Sequence, residues 1–210
     1  TYKQEEGNVK YQFVVGTEMQ EGFFNTQVFD NVNGNPDTIQ TNDDVRYSTY
    51  SVFAQADLDI NESWMINAGV SLNQTKVGIT RLSEYPVVPI NRTYRSEYAP
   101  RISLLKNITK NVALVATVSK GFSPPTTAEL LPSTTVINAD LESESGVNYE
   151  MTARVHALHR KLRMEFTAFY FKVNNALVQR RDQTGADYYV NAGDTKQKGA
   201  EVSADYTNYF

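Results

Sequence analysis

Hydrophobic and polar residues alternate with a period of two along most of this chain, in segments separated by turn-rich passages. That period predicts half-buried β-strands. Residues 1–8 are polar and show no pattern. From Val9, the apolar series Val9, Tyr11, Phe13 and Val15 alternates with Lys10, Gln12 and Gly16, and the pattern resumes through Phe23 to Phe29. One long strand over 9–30 with a bulge at Gly22 fits this; two strands turning at Glu21-Gly22 are the alternative. Asn31 to Arg46, rich in Asn, Asp, Gly and Pro, reads as a long loop. Strand 47–60 puts Tyr50, Val52, Ala54, Ala56, Leu58 and Ile60 on one face, and strand 64–77 does the same with Trp64, Ile66, Ala68, Val70 and Leu72. Strands 98–106, 112–119, 146–156 and 162–181 follow, and a last strand ends in Ala200, Val202, Ala204 and Tyr206. A short helix fits Thr126 to Leu131, with a Ser/Thr cap ahead of Glu129.

The connections alternate between long (31–46, 78–97, 120–145) and short (61–63, 107–111, 157–161). Up-and-down membrane barrels have short turns at one end and long loops at the other. A Greek-key sandwich has no reason to keep that parity. The face holding Ala, Val, Leu, Ile, Met and Phe carries Tyr or Trp near strand ends. The opposite face holds Asp57, Asp59, Arg101, Glu150, Arg154, Arg163, Glu165, Glu201 and Asp205. A charge facing lipid at midplane costs about 2–4 kcal/mol, so this segregation suits a barrel wall. Alternation alone equally suits an antiparallel sheet with one wet face.

Composition narrows the classes. The chain has 210 residues and a net charge of −4, without a basic tail, which argues against a nucleic-acid partner. It has no cysteine, which removes disulfide frameworks and Cys zinc sites. No apolar run approaches the ~18 residues of a transmembrane helix. The mean hydropathy of −0.46 is compatible with a soluble protein and with a barrel whose strands alternate.

The stretch Ser119 to Glu150 carries more specific information. Its run Ser-Lys-Gly-Phe-Ser-Pro-Pro-Thr, then Ala-Glu-Leu, then Leu-Glu-x-Glu before Asn-Tyr-Glu, resembles the C-terminal half of the barrel of TonB-dependent outer-membrane receptors. A second match is Tyr189 to Glu201, an Asn-x-Gly segment followed by Gly-x-Glu. The motif-bearing part covers residues 98–206; the first half fits more loosely, through residues 51–55 and 67–70. Glu142-Ser143-Glu144 departs from the family, which usually has a Lys-Pro or similar pair there. The resemblance implies an all-β, antiparallel up-and-down meander of about eight strands, part of a transmembrane β-barrel of about 22. Residues 1–210 would then be a partial barrel domain, with plug and remaining strands absent, in the outer membrane of a Gram-negative bacterium. Phe210 mimics a terminal barrel aromatic but is read as a cut point. The implied function is TonB-dependent uptake of scarce nutrients, a ferric siderophore foremost. Its partners would be the TonB energy-coupling complex acting through a plug, a small-molecule cargo such as a metal chelate, and membrane lipid. A soluble β-sandwich binding module and a small complete barrel remain alternatives. A strip with two unpaired edges is expected to close into a smaller barrel or to pair edge to edge with a second copy.

The resemblance implies no enzyme, cofactor, catalytic residue or metal site. Gly121, Phe122, Pro124, Pro125, Glu129, Asn191, Gly193, Gly199 and Glu201 are the motif positions, expected to shape loops and strands. Arg92, Tyr94, Arg95, Arg180 and Arg181 are the ligand candidates, because cationic and aromatic groups at a barrel mouth attract an anionic chelate; solvated loop charges are the plainer reading. His156 and His159 read as a turn-surface pair. Asp37, Asn42, Asp43 and Asp44 lack the ordered spacing of a calcium loop. Glu142 and Glu144 have no nucleophile nearby that would make them an acid/base pair.

Overall fold

The computed structural model describes residues 1–61 and 63–208, so the Phe210 reading and the middle of the 61–63 turn lie outside the described residues. The alternating segments form strands β1 (Tyr2–Glu6), β2 (Val9–Val32), β3 (Asn35–Ile60), β4 (Trp64–Arg81), β5 (Pro89–Thr93), β6 (Glu97–Asn107) and β7 (Val112–Ser123). The single helix turn α1 (Thr127–Leu130) follows, then β8 (Glu144–Ala157), β9 (Leu162–Asn174), β10 (Leu177–Arg181), β11 (Asp187–Asn191) and β12 (Thr195–Tyr206). The main sheet is an antiparallel meander in the order β1-β2-β3-β4-β6-β7-β8-β9-β12, with β5 also pairing β4, while β10 and β11 form a separate hairpin.

Register turns the separate alternations into one surface. Residues directly opposite on neighbouring strands point to the same side. Ala54 faces Val70, Ala68 faces Ile102, Ile102 faces Val118, Val118 faces Tyr149, Met151 faces Ala168, and Phe166 faces Val202. The apolar series therefore joins across every long strand. This face is uncovered: Val15 is 72 % exposed, Met151 56 % and Val202 69 %. A β-sandwich would bury it, so the sandwich alternative fails. An exposed apolar face of this extent marks contact with lipid or a partner.

The opposite face is polar and closely fitted. Thr152 and Thr167 share a hydroxyl hydrogen bond of 2.8 Å, Ser103 and Thr117 one of 3.0 Å, and Arg154 pairs with Glu165 at 3.1 Å. Phenylalanine rings on this face lie over glycines of the next strand. A Cβ on Gly16 would come within 2.4 Å of Phe53, and one on Gly199 within 2.7 Å of Phe169. Glycine is needed there because the ring occupies the side-chain space.

Several expectations are corrected. Residues 1–8 are not patternless: β1 pairs with β2 from Tyr2↔Phe13 to Glu6↔Val9, through a turn with Gly7 at φ 60°. There is no bulge at Gly22, which stands opposite Tyr47 in an unbroken register; the shifts fall between Val28 and Phe29 and between Phe29 and Asn31. Residues 31–46 are not a loop. Asn33 and Gly34, at φ 54° and 87°, make a tight turn, and β3 runs straight on from Asn35. Asn-Gly supplies the two positive φ values of such a hairpin turn. Residues 162–181 are not one strand: Asn175 at φ 55° separates β9 from the β10–β11 hairpin.

One end of the sheet thus carries short turns, and the other carries the extended β2–β3 hairpin and the segments 82–96, 124–143 and 175–194. Among the described residues no pairing joins β1 to β12, so the sheet stays open and does not curl into a smaller closed barrel.

Candidate functional site

At the loop-bearing end the polar face of β3 and β4 turns apolar, with Val45, Tyr47, Val77 and Ile79. β5 folds back onto β4 in the register Ile79↔Ile90 and Val77↔Arg92, which drives Tyr94 inward; its N–H donates to the Thr75 carbonyl at 2.9 Å. Val45, Val77, Ile79, Tyr94, Leu130 and Leu141 make the buried cluster of the chain, and Leu131, Ile137, Leu177 and Tyr189 pack against it. Segments 82–96 and 124–143 and the β10–β11 hairpin are therefore one folded cap.

Polar contacts fix the parts of the cap to one another. Arg81 clasps Asp43 through two hydrogen bonds, Nε–Oδ1 at 2.8 Å and Nη2–Oδ2 at 3.0 Å, with both side chains buried. Its third nitrogen donates to the Thr135 carbonyl, so the clasp holds segment 124–143 as well. The Asp43 hydrogen bond raises the Arg81 pKa further. Ser133 Oγ donates to the Asp187 carbonyl and accepts its N–H, and Asn138 Nδ2 donates to the Tyr189 carbonyl at 2.8 Å. Glu142 is the junction. Its carboxylate accepts from Arg92, its N–H donates to Asn191 Oδ1 at 2.9 Å, and its carbonyl accepts from Asn191 Nδ2 at 3.0 Å.

The ligand candidates separate into two groups. Arg92 is engaged by Glu142 and stacks over the Tyr94 ring at 5.7 Å from its centroid. Tyr94 is 2 % exposed, its hydroxyl has no hydrogen-bond partner among the described residues, and burial pushes its pKa up to about 12. Arg181 is engaged with Asp187 at 2.8 Å; the hydrogen bond raises the arginine and lowers the carboxylate. Arg95 and Arg180 are exposed and have no acid partner among the described residues. Arg95 borders a hollow with Glu97, Lys120, Glu142 and Asn175, in which Lys120 pairs with Glu97 at 3.2 Å.

The motif positions fall mostly on the cap's framework. The Glu129 carboxylate accepts from the Thr126 N–H at 2.6 Å and the Thr126 hydroxyl at 2.9 Å, capping α1. Pro125 is fully buried and Pro124 and Phe122 half-buried beside it. Gly121 stands opposite Gly146. Asn191 also donates to the Asn175 carbonyl, and Gly193, at φ 100°, accepts the Ala176 N–H. Gly199 lies under Phe169, and Glu201 stands opposite Thr167 on the polar face.

Glu144 accepts the Leu177 N–H at 2.6 Å, so Glu142 and Glu144 both hold the cap instead of forming an acid/base pair. Asn42 and Asp44 bind Asn25 and Asp43 binds Arg81, which commits three of the four residues weighed for calcium. His156 sits on β8 opposite Arg163, and His159 in the turn that follows. The Arg81–Asp43 clasp went unrecognised in the sequence because both residues lie on strand extensions beyond the apolar alternation.

A family model described as "TonB dependent receptor-like, beta-barrel" matches residues 1–210. The metal-pseudopaline receptor CntO of Pseudomonas aeruginosa strain UCBPP-PA14 is 27 % identical over 152 residues, covering 70 % of this chain. The chain spans only 20 % of that relative's length. Among solved structures, the unliganded ferric citrate transporter FecA superposes with a TM-score of 0.74 at 17 % identity, over 97 % of this chain and 30 % of its own. The siderophore receptor PiuA from Acinetobacter baumannii gives 0.70 at 17 %, over 96 % and 34 %. At such identity these two structures establish the shared fold.

Proposed function

The chain belongs to the TonB-dependent receptor β-barrel family, whose barrels stand in the Gram-negative outer membrane, and on that premise we propose that residues 1–210 form part of the wall and outer mouth of a metal-chelate uptake receptor. A ferric siderophore is the first-choice cargo. The observation that carries this reading is the pair of exposed arginines with no acid partner among the described residues, Arg95 and Arg180, on a cap held by the Arg92–Glu142–Asn191 junction. Engaged arginines have their charge satisfied inside the protein; free ones attract an anion, and a guanidinium matches carboxylate geometry with two parallel hydrogen bonds. Similarity to the metal-pseudopaline receptor supports a chelate as cargo. The reading gives these residues no catalytic step. Energy enters from TonB through a plug domain outside these residues.

The test uses the full-length protein in cells, with radio-iron supplied as ferric citrate and as a ferric catecholate. Replacing Arg95 and Arg180 by Ala is expected to weaken apparent uptake affinity about tenfold per charged hydrogen bond lost. The Arg181→Ala variant is expected to leave uptake unchanged. Equal uptake by the wild type and the double variant, at equal outer-membrane levels, would refute the assignment.

A further inference from the structure

β6 and β7 separate before they reach the loop-bearing end. Their ladder runs from Asn107↔Ala113 only as far as Arg101↔Ser119, seven pairs. Both strands go on, each with its other neighbour: β6 to Glu97 opposite Asn73 of β4, and β7 to Ser123 opposite Glu144 of β8. Among the described residues no pair joins 97–100 to 120–123. Pro100 stands at the fork, opposite Val70 of β4. Proline has no N–H to give a ladder and sits where pairing ends. The facing side of the fork is open. A continued register would set Gly121 against Ala99, yet a Cβ on Gly121 would meet nothing within 4 Å, while Gly16, Gly146 and Gly199 lie under phenylalanine rings.

Height decides what an open fork means. Seven paired residues, at a rise of about 3.4 Å each and a tilt of about 40°, climb about 16 Å, against an apolar band about 25 Å tall. The fork therefore opens inside the outer part of the band. Backbone groups in hydrocarbon must be paired, and the exception is backbone that lines a water-filled cavity. Such a cavity is present. A hollow of about 290 Å³ lies at the fork, lined by Tyr98 and Lys120 from the lipid-facing rows, by Glu97 from the polar face, and by Arg95 and Glu142 from the cap. It passes through the wall. Lys120 stands opposite Val147 on the lipid-facing side and Glu97 opposite Asn73 on the polar side, so their ion pair of 3.2 Å crosses between the two faces.

We propose that the β6–β7 fork is a water-filled side opening in the barrel wall, latched by the Lys120–Glu97 ion pair, through which water and small polar solutes pass between the outer headgroup layer and the hollow at Arg95. The proposal rests on the membrane-wall reading above. It does not depend on which cargo the mouth takes.

The test takes the full-length protein in phosphatidylcholine vesicles, with any cysteine elsewhere in it replaced by Ser. The pair Ala99→Cys with Gly121→Cys spans the fork, and Ser103→Cys with Thr117→Cys spans the closed ladder. Under copper–phenanthroline the ladder pair is expected to oxidise and the fork pair to keep both thiols, counted by mass spectrometry after alkylation. Adding Pro100→Val supplies the missing donor and is expected to bring the fork pair together. The opening itself is read by the rate at which a cationic thiosulfonate labels Gly121→Cys alone. Lys120→Met is expected to speed labelling about three- to fivefold, the scale of a part-exposed ion pair, and exchanging the charges, Lys120→Glu with Glu97→Lys, to return the original rate. Pro100→Val is expected to slow labelling about fivefold, for one recovered backbone hydrogen bond. Oxidation of the fork pair as fast as the ladder pair would overturn the opening. Labelling unmoved by Lys120→Met would overturn the latch, and labelling unmoved by Pro100→Val would show that the reagent arrives by the mouth and overturn the side route. Failure of the ladder pair to oxidise would sink the register of the wall itself, a separate result.

Discussion

Replacing Asp43 by Ala removes the carboxylate that receives two Arg81 hydrogen bonds, in a clasp whose side chains are 9 % and 2 % exposed. Removing one partner of a buried ion pair costs about 3–5 kcal/mol, because the other charge is left uncompensated. Arg81 keeps the Thr135 carbonyl and can follow Glu84, which is 71 % exposed, toward water. That relaxation favours the lower figure, about 3 kcal/mol. The loss should act on the cap and spare the wall, since the clasp ties β3 and β4 to segment 124–143. At about 1.4 kcal/mol per factor of ten, amides protected by cap closure should exchange about a hundredfold faster. Hydrogen exchange by mass spectrometry reads this at Leu131 and Asn138, whose N–H groups donate to Thr127 and Leu130 carbonyls at 2.8 Å. Met151 and Ala168, paired mid-wall, are the internal control. Replacing the pair together, Asp43→Leu with Arg81→Met, should restore most of the protection, because an apolar isostere leaves no buried charge. Unchanged exchange at Leu131 and Asn138 in the Asp43→Ala variant would refute the view that the clasp holds the cap.

Met151→Arg puts a charge in the apolar row between Ala116 and Ala168 and should cost about 2–4 kcal/mol of folding free energy in lipid vesicles, measured by denaturant titration. Gly16→Ala drives a methyl into Phe53 and should cost about 1–3 kcal/mol, partly recovered by adding Phe53→Ala; no change in the melting of the folded gel band would show that the ring is free to move. In the β10–β11 turn, Asp182 is held below the usual carboxylate range by the Thr184 hydroxyl and the Ala186 N–H, and Asp187 by Arg181. Depressed pKa values mean that this stabilisation is complete above the ordinary carboxylate pKa of about 3.9 and fades as pH falls through the lowered values. Amide exchange at Ala186, corrected for intrinsic rate, should therefore accelerate only under acid conditions, and acceleration already at neutral pH would contradict the assignment.

The wall was legible in the sequence because burial by lipid imposes a period of two on every strand. Val147, Tyr149, Met151, Ala153 and Val155 declare β8 without any neighbour, and the register then places them beside Val118 and Ala168. The α1 cap was legible too, since Thr126 and Glu129 satisfy each other within one turn. Strand extension past the apolar band was not. Residues 35–46 hold only Ile39 and Val45 as large apolar residues, too few to mark an alternation; their backbone ladder with β2 holds them extended, and only Asn33-Gly34 hints at the turn. β1 escaped notice for the same reason.

Local sequence determined strand identity, facing and short turns, which depend on neighbours in the chain. Tertiary structure alone decided which loop residues meet. Arg81 and Asp43 are 38 positions apart, and Arg92 and Glu142 are 50 apart. Whether an arginine is engaged, as Arg92 and Arg181 are, or has no acid partner among the described residues, as with Arg95 and Arg180, follows from the folding of three separate segments onto one apolar cluster. Partner choice among exposed charges is a matter of distance in space, and no periodicity along the chain encodes it.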